Sequence, residues 1–577
     1  MFFALVPSLC AQKAIAQKHI GFVEDWSQSH IVFSRDALAR HPALVDREPR
    51  IRQQAIERWQ VPDWGAFHGV DPRPIPPKKS GLHRDWNMSL SAARLGPHVF
   101  PAKFSFDPNA PPDCTGDYVV FGLDVAETPG ASGMGVQANL VGFNNLYSGT
   151  DPTGTCGTAP SVMFAYNVTT VTGGRIVTSP VLSLDGTQIA FVESVAGATP
   201  QAIFHVLTLA LAGVDGTGAI TDAVAPATGS MTSLTLSPTG IPPFFNDTTS
   251  SPWIDYDSDT AYVGTDNGFV YQITGAFTAS PTLTGSPWPV QVGSSKLTSP
   301  VLDSNLKLLM VGSANGTLYQ IDVNPADSTF GTVVATLPVG NTTVPPTTSS
   351  GIFAPPIVDI TNGTTFVVSA NGTYPVGPDN SSSAILLQVD TETLGTAVPQ
   401  VAYIGLGSAG GTALHLFEPA FNNAYYNDPS TGYITLCGTG PLDTRPWQYA
   451  FGFTGSTMNT LTPPVISQQL STSTTDHCTG WTEFFNPNVG ASPGTDFFFF
   501  GLNGDCTSSF LGGTSTTGCV VALGTDGGVT TATTATVKGG PSGIVVDNYS
   551  TATQASSIYF VAAGEDTAYK YTQNGLQ

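Results

Sequence analysis

The stretch Ser299-Pro300-Val301-Leu302-Asp303 leads, 15 residues after its first proline, to Asn315-Gly316. The same pattern at the same spacing occurs at Ser251-Pro252-Trp253-Ile254-Asp255 with Asn267-Gly268, and at Pro355-Pro356-Ile357-Val358-Asp359 with Asn371-Gly372. Repetition at a period of tens of residues marks a repeat architecture. Because the repeat is rich in strand and turn residues, it predicts an all-β chain folded as a β-propeller, with one repeat per blade.

The copy that begins at Ser299 predicts the four antiparallel strands of one blade. Pro300 opens the first strand, and the apolar run 308–312 has the composition of a strand covered on both faces. Asn315-Gly316 predicts a type I′ turn, and residues 318–321 and 332–337 supply the last two strands. Residues 118–166 form a first blade without the proline signature, and further blades open at Pro180, Pro252, Pro300, Pro356, Pro419, Pro464 and Pro541. This gives eight blades, with seven as the alternative count.

The two ends of the chain suggest how the ring closes. The chain stops shortly after a third strand at 569–571, so we expect residues 103–106 to supply the fourth strand of the last blade. The apolar start with Ala14-Ile15-Ala16 predicts a truncated signal peptide at 1–16. Residues 17–112 are expected to be a basic, partly helical arm with a proline-rich linker, and residues 113–577 the propeller.

Charge is distributed unevenly along the chain, whose formal net charge is −22. Residues 1–103 hold 14 Lys and Arg and 9 Asp and Glu, a net charge of +5. The rest of the chain holds 6 Lys and Arg and 33 Asp and Glu, a net charge of −27. A surface that binds nucleic acid needs clustered cations, so the repeat region is not expected to bind it. No segment is long and apolar enough to cross a bilayer, and an extracytoplasmic location, periplasmic or secreted, is predicted.

Six cysteines follow Cys10, and their even number and wide spacing favour disulfides over metal ligation. Six cysteines allow 15 pairings, and proximity along the chain favours Cys114 with Cys156. The other four candidates stay open: Cys437, Cys478, Cys506 and Cys519.

The recurring Asp255, Asp303, Asp359 and Asp547 have two interpretations. They could form a ring of carboxylates that binds a cation such as Ca²⁺. The preferred interpretation is that each accepts hydrogen bonds from backbone N–H groups of the turn that follows it.

Other candidate groups are few. The His and carboxylate neighbours of the repeat region are His415 with Glu418 and His477 with Glu483, neither with a third ligand in view. Aromatic residues in 484–485 and 497–500 are expected in the core, whereas Trp447, Tyr425 and Tyr426 are expected to be exposed for ligand contact. The pattern offers no catalytic, cofactor-binding or metal-binding set.

The segments 262–271 and 311–319 resemble the repeat of the pyrroloquinoline-quinone-like (quinoprotein-like) β-propellers, and 179–186 resembles the strand opening of WD40-like propellers. As a whole the chain looks like the large exported propellers of soil bacteria. Quinoprotein dehydrogenases hold their quinone beside a disulfide between adjacent cysteines and a bound calcium. This chain has no adjacent cysteine pair.

The sequence therefore favours a non-catalytic exported binding or scaffolding propeller with no predicted cofactor. Its recognition face is expected in the loops 126–160, 324–352, 372–383 and 467–495, and its partner is expected to be a protein or glycan of the cell envelope or its surroundings. The alternative is a quinoprotein-like oxidoreductase or lyase that uses the central funnel. The sequence leaves the oligomeric state open.

Overall fold

Eight sheets, antiparallel except for one parallel strand pair in the first, form a closed ring of blades in the computed structural model. The structure describes residues 23–24, 30–33, 81–96, 98–105, 112–150, 153–197, 200–209, 218–237, 248–278, 280–340, 351–372, 383–407, 414, 416–460, 463–486, 494–526, 529–547 and 554–573. Inner strands of successive blades contact each other, and Ile31–Phe33 of the first blade contacts Val545–Asp547 of the last. The prediction of an eight-bladed, all-β propeller is confirmed.

Blades 1 to 4 form the first half of the ring, and the strands of each blade follow one another from the axis outward. Blade 1 contains Ile31–Phe33, Ala102–Ser105, Tyr118–Gly122, Leu140–Asn144 and Ser161–Tyr166. Blade 2 contains Arg175–Ile176 and Val181–Leu182, then Gln188–Val195, Gln201–Thr208 and Met231–Thr235. Blade 3 contains Trp253–Asp255, Thr260–Gly264 and Phe269–Thr274, then Thr282–Leu283 and Val290–Gln291. Blade 4 contains Val301–Asp303, Leu308–Gly312, Thr317–Asp322 and Val333–Pro338.

Blades 5 to 8 complete the ring. Blade 5 contains Val23–Glu24, Ile357–Asp359, Thr364–Gly372, Ser383–Asp390 and Gln400–Leu406. Blade 6 contains Ala420–Phe421, Tyr433–Thr439 and Pro446–Thr454, then Thr457–Met458 and Ile466–Gln469, with an α-helix at Asn423–Asn427 and a 3₁₀-helix at Pro429–Thr431. Blade 7 contains Thr482–Asn486, Thr495–Leu502, Cys519–Asp526 and Val529–Thr536. Blade 8 contains Val545–Asp547, Ser557–Ala562, Thr567–Gln573 and Leu82–Ser89.

The ring is closed by a different segment from the one predicted. Leu82–Ser89 pairs antiparallel with Thr567–Gln573 and is the outer strand of blade 8. Residues 103–105 instead belong to Ala102–Ser105, which follows Pro101 as an inner strand of blade 1. The prediction for 103–106 is therefore wrong, since an inner strand next to the axis cannot also be an outer strand. The propeller accordingly includes strands before residue 113. The predicted signal peptide at 1–16 and the helical segments within 35–59 lie outside the described residues.

The repeat turns differ in detail from the type I′ prediction. Gly316 has a φ of 82° and Gly268 a φ of 85°, but neither preceding asparagine has positive φ. A type I′ turn needs positive φ at both central residues. Each of these two hairpins instead has one glycine in the left-handed backbone conformation. The turn before Gly316 is closed by a hydrogen bond from Gly316 N to Ser313 O of 2.9 Å. In the third copy, Gly372 lies within the strand Thr364–Gly372 and pairs with Ser383.

One predicted blade opening is also wrong. Pro463-Pro464 precedes Ile466–Gln469, which pairs with Pro446–Thr454 as an outer strand of blade 6. Blade 7 opens at Thr482–Asn486, just after the buried Trp481. Proline suits an outer edge strand as well as a strand opening, because both positions tolerate a missing N–H donor.

Three disulfides hold neighbouring segments together. Cys114 and Cys156 are bonded, as predicted, with Cα atoms 5.4 Å apart. The four cysteines left open pair as Cys437–Cys478 and Cys506–Cys519. All three bonds lie within a blade or between a blade and the loop that follows it, so none of them closes the ring.

Trp86 on the closing strand links the outer edge of blade 8 to blade 1. Its Nε1 donates to Leu146 O at 2.8 Å, and its ring packs against Phe143 and Tyr559. We expect Trp86→Ala to destabilise the protein by about 3–5 kcal/mol, the usual cost of deleting a buried aromatic side chain, with a lower thermal unfolding temperature. Met134→Ala is the control, because Met134 is 96% exposed and should change stability little. Equal unfolding temperatures for the two variants would contradict the closing role of Trp86.

Candidate functional site

The loops of the propeller divide between two faces, because successive connections in an antiparallel sheet alternate in direction. We call "upper face" the one formed by loops that join second to third strands and by loops that join blades, such as 123–139, 440–445 and 470–481. The "lower face" carries the other loops, such as 145–160 and 324–332. The predicted recognition loops 126–160 and 324–352 are therefore each split between both faces, and the expectation of a single recognition face built from them is wrong.

The N-terminal segment enters the central channel. Val23–Glu24 pairs antiparallel with Ile357–Asp359 on the inner side of blade 5. Ile31–Phe33 pairs in parallel with Ala102–Ser105 on the inner side of blade 1. Since blades 1 and 5 stand opposite each other in an eight-membered ring, these two strands fill opposite sides of the channel.

Aromatic side chains fill the channel further. His30 stacks on Phe100 with ring centroids 4.6 Å apart. His98 lies 5.1 Å from Phe353 and 6.3 Å from Phe417, centroid to centroid. Because His98 comes from the loop between blades 8 and 1, and both phenylalanines come from loops across the ring, this contact spans the upper mouth of the channel.

A pocket on the upper face lies beside that mouth, between blades 6 and 7. We call it the disulfide pocket, because Cys437 and Cys478 form part of its wall. It is open to solvent on one side, and its cavity volume is about 10 Å³, which is room for about one water molecule. Its lining residues are Leu414, Leu416, Phe417, Cys437, Gly438, Thr439, Thr444, Pro446, Asp476, His477 and Cys478.

Asp476 and His477 give the pocket its polar side. Burial lowers the pKa of His477, and the neighbouring Asp476 opposes this shift. The Asp476 carboxylate accepts hydrogen bonds from Ser471 Oγ and Asp505 N, each at 2.6 Å. A Cβ at Gly504 would lie 2.1 Å from Asp476 Oδ1, so only glycine fits there. The pocket thus presents an imidazole with a reduced proton affinity beside a firmly held carboxylate.

The aromatic candidates divide between core and surface differently from the prediction. Phe497 to Phe500 are buried, as are Phe484 and Phe485, which confirms their core role. Tyr425 and Tyr426 were expected to be exposed, but both are buried on the short helix of blade 6. The Tyr425 hydroxyl donates to Asp359 at 2.6 Å and so joins blade 6 to blade 5. Trp447 is half-buried.

The recurring aspartates serve the turns in the three described copies. Asp303 Oδ1 accepts from Asn305 N and Leu306 N, Asp359 Oδ1 accepts from Asn362 N, and Asp255 Oδ1 accepts from Asp257 N. Asp303 and Asp359 are fully buried between blades. Asp547 is different, because its carboxylate pairs with Lys103, and residues 548–553 lie outside the described residues. Within the described ranges no group of three or more His, Cys, Asp and Glu could hold a metal ion.

The two His and carboxylate pairs named from the sequence have different outcomes. His415 lies outside the described residues, and Glu418 is buried just before the inner strand of blade 6. His477 lines the pocket, whereas Glu483 is buried within a strand of blade 7. Sequence reasoning missed Asp476 and Thr444, whose only signal was their position beside a cysteine and within a turn.

Burial raises the pKa of Asp303, and the nearby Asp359 raises it further. The hydrogen bonds from the backbone N–H groups of Leu306 and Asn305 lower it in part. The pKa of Asp303 is therefore higher in the folded protein than in the unfolded chain. The contribution of such a group to stability is complete below the pKa of the unfolded chain, near 3.9, and is lost as the pH rises above it. We therefore expect Asp303→Asn, which keeps the turn acceptor, to raise the unfolding temperature at pH 7, with the gain shrinking towards pH 3. Half-buried Asp255→Asn is the control, expected to show no gain. A variant no more stable than wild type at pH 7 would disprove this.

No protein-family model matches the chain, and no curated protein matches it significantly. Among solved structures it is similar to BamB from Moraxella catarrhalis, at 12% identity and a TM-score of 0.39 over 84% of this chain and 98% of that one. It is also similar to Sqt1 of Saccharomyces cerevisiae, at 10% identity and a TM-score of 0.43 over 86% of this chain and 99% of that one. The WD40 domain of Toxoplasma gondii coronin is similar at 13% identity and a TM-score of 0.35, over 80% of this chain and 87% of that one. Such likenesses concern the fold alone. By its eight closed blades, the chain is an eight-bladed β-propeller.

Proposed function

We propose that this protein is an extracytoplasmic binding propeller that takes a protein partner on its upper face, with one partner side chain packed over the mouth of the disulfide pocket. The observation that carries the proposal is the pocket together with the exposed Leu442 beside it on the same face. A cavity of about 10 Å³ holds about one water molecule, so a partner would cover the pocket rather than fill it.

The lining of the pocket indicates the chemistry of that side chain. Leu414, Leu416 and Phe417 form an apolar wall, and Thr439, Thr444 and His477 offer polar groups on the other side. A side chain with an apolar body and a polar end would satisfy both walls. Aromatic residues and arginine have this character, and they are enriched among the residues that dominate binding energy at interfaces.

An exposed leucine beside the pocket favours a protein partner over a glycan. Leu442 is 83% exposed and lies in the loop between the lining residues Thr439 and Thr444. An exposed apolar side chain next to a pocket is what a protein interface would bury. A glycan would instead need a flat, exposed aromatic ring, and Phe417 is buried.

The extracytoplasmic location is supported by chemistry. Three disulfides persist only where the surroundings are oxidising. Among the described residues, no helix has the length and apolar character needed to cross a membrane.

The proposal predicts that one surface substitution on the upper face removes partner binding. We expect Leu442→Asp to abolish capture of a protein from an envelope extract by the immobilised propeller, because a desolvated carboxylate would replace an apolar contact. Val398→Asp is the matched control, since Val398 is 88% exposed but lies on a lower-face loop. Both variants should unfold at the wild-type temperature.

The interaction is then checked with the captured protein in purified form. Thr444→Trp should block the mouth of the pocket and weaken binding at least tenfold, measured by calorimetry. Equal capture by wild type and Leu442→Asp would overturn the proposed surface. Binding of wild type to envelope glycans, lost in Thr444→Trp, would assign the pocket to a glycan instead.

The alternative of a quinoprotein-like oxidoreductase or lyase has its own test. The central channel, which such an enzyme would use, is filled in its described part by the N-terminal strands and by Phe100 and His98. We therefore expect purified protein mixed with calcium and pyrroloquinoline quinone to show no bound chromophore and no dye-linked oxidation of alcohols or sugars. A chromophore that survives gel filtration, with such activity, would favour the enzyme.

A further inference from the structure

A buried cluster of charged groups lies at the seam where blade 8 meets blade 1. It contains two lysines and three aspartates, and every one of these side chains is excluded from solvent: Lys103, Lys570, Asp85, Asp117 and Asp547. Buried ions carry a large desolvation penalty. This concentration of charge at one seam, in a region otherwise poor in lysine, calls for a chemical explanation.

Lys103 stands at the centre of the part of the cluster that spans the two blades. Its Nζ lies 2.7 Å from Asp547 Oδ2 of blade 8 and 4.0 Å from Asp117 Oδ2 of blade 1. The Tyr147 hydroxyl donates to Asp117 Oδ2 at 2.5 Å and lies 3.0 Å from Asp547 Oδ2. One tyrosine thus fixes both carboxyl groups around one amine.

The geometry brings one amine close to a carboxyl group with which it could condense. Condensation would replace two groups that are costly to bury when charged with one neutral amide. Because Lys103 Nζ lies 2.7 Å from Asp547 Oδ2, it is within van der Waals reach of the carboxyl carbon, and a rotation of the carboxyl group would turn that carbon towards the amine. Asp117 lies on the other side of the same amine, in position to take up a proton from it.

We propose that Lys103 and Asp547 become joined by an isopeptide bond that links blade 1 covalently to blade 8. One proton passes from Lys103 Nζ to Asp547, the free amine attacks Asp547 Cγ, and a new N–C bond forms. Asp117 accepts the proton that leaves Nζ and delivers it to the departing hydroxyl of Asp547. The C–O bond breaks and one water molecule is released. No oxidant or other reactant is needed.

The consequence is a covalent lock at the seam where the two ends of the ring meet. The three disulfides lie within blades or beside them, so this bond would be the cross-link that spans the closure. A cross-link between residues so distant in sequence restricts the unfolded chain strongly, as a disulfide over a long loop does. The inference does not depend on the proposed binding function.

Two other lysine and aspartate pairs serve as internal comparisons. Lys570 pairs with Asp85, but within the described part of the chain no second carboxylate lies within 4.0 Å of its Nζ. Lys296 pairs with Asp266 at 2.5 Å, but the Lys296 side chain is 54% exposed. We expect no bond at Lys296, because its side chain is exposed to water rather than buried against the carboxyl group.

The test is mass spectrometry of the purified full chain after reduction, denaturation and proteolysis. We expect the peptides that contain Lys103 and Asp547 to appear as one joined species, lighter than their sum by the mass of one water. The peptides that contain Lys296 and Asp266 should appear separately. Separate Lys103 and Asp547 peptides from folded wild-type protein would overturn the proposal, and this result requires no variant.

Variants assign the roles. Lys103→Arg should lose the joined species, because a guanidinium is not nucleophilic. Asp117→Asn should also lose it, although both bonded residues remain, and Asp117→Glu should restore part of it. Asp547→Asn should still form the bond, now with release of ammonia instead of water. A joined species in Asp117→Asn at the wild-type level would remove Asp117 from the chemistry.

Discussion

The first half of the ring depends on serine hydroxyl groups that tie blades 1 to 4 to one another beside the channel. Phe100 N donates to Ser179 Oγ at 2.9 Å, Ser179 N to Ser251 Oγ at 2.8 Å, and Ser251 N to Ser299 Oγ at 2.8 Å. Each serine precedes the proline that opens its blade. The hydroxyl thus satisfies a buried N–H of the neighbouring blade, and such a group is expensive to leave unpaired.

A second set of hydroxyls fixes each opening segment to its own blade. Near the start of the inner strand, a serine or threonine accepts a hydrogen bond from an N–H of the second strand: Thr178 from Val192, Ser250 from Gly264, Thr298 from Gly312, Thr479 from Gly501 and Ser542 from Val561. The repeated hydroxyl and proline positions are therefore explained by structure. Function must be sought where the repeat is interrupted, as in the disulfide pocket.

Much of the candidate site could not be predicted from the sequence. The pocket is built from three segments far apart in the chain, at 414–417, 437–446 and 476–478, and no short-range pattern connects them. The cysteines were visible as disulfide candidates, but which of the possible pairs form depends on which loops the ring brings together. Tyr425 shows the same limit. Its sequence surroundings are typical of a loop, yet the neighbouring blade supplies Asp359 as a partner and buries it.

The sequence by itself determined the all-β propeller class and the strands of the regular copies, because these follow from local periodicity, prolines and turn glycines. It left the number of blades between seven and eight. Only the tertiary structure decided that Leu82–Ser89 closes the ring, that Val23–Glu24 and Ile31–Phe33 enter the channel, and that Lys103 meets Asp547. The physical reason is that a closed ring brings the two ends of the chain together. The contacts made there depend on the geometry of all eight blades, and no local stretch of sequence encodes that geometry.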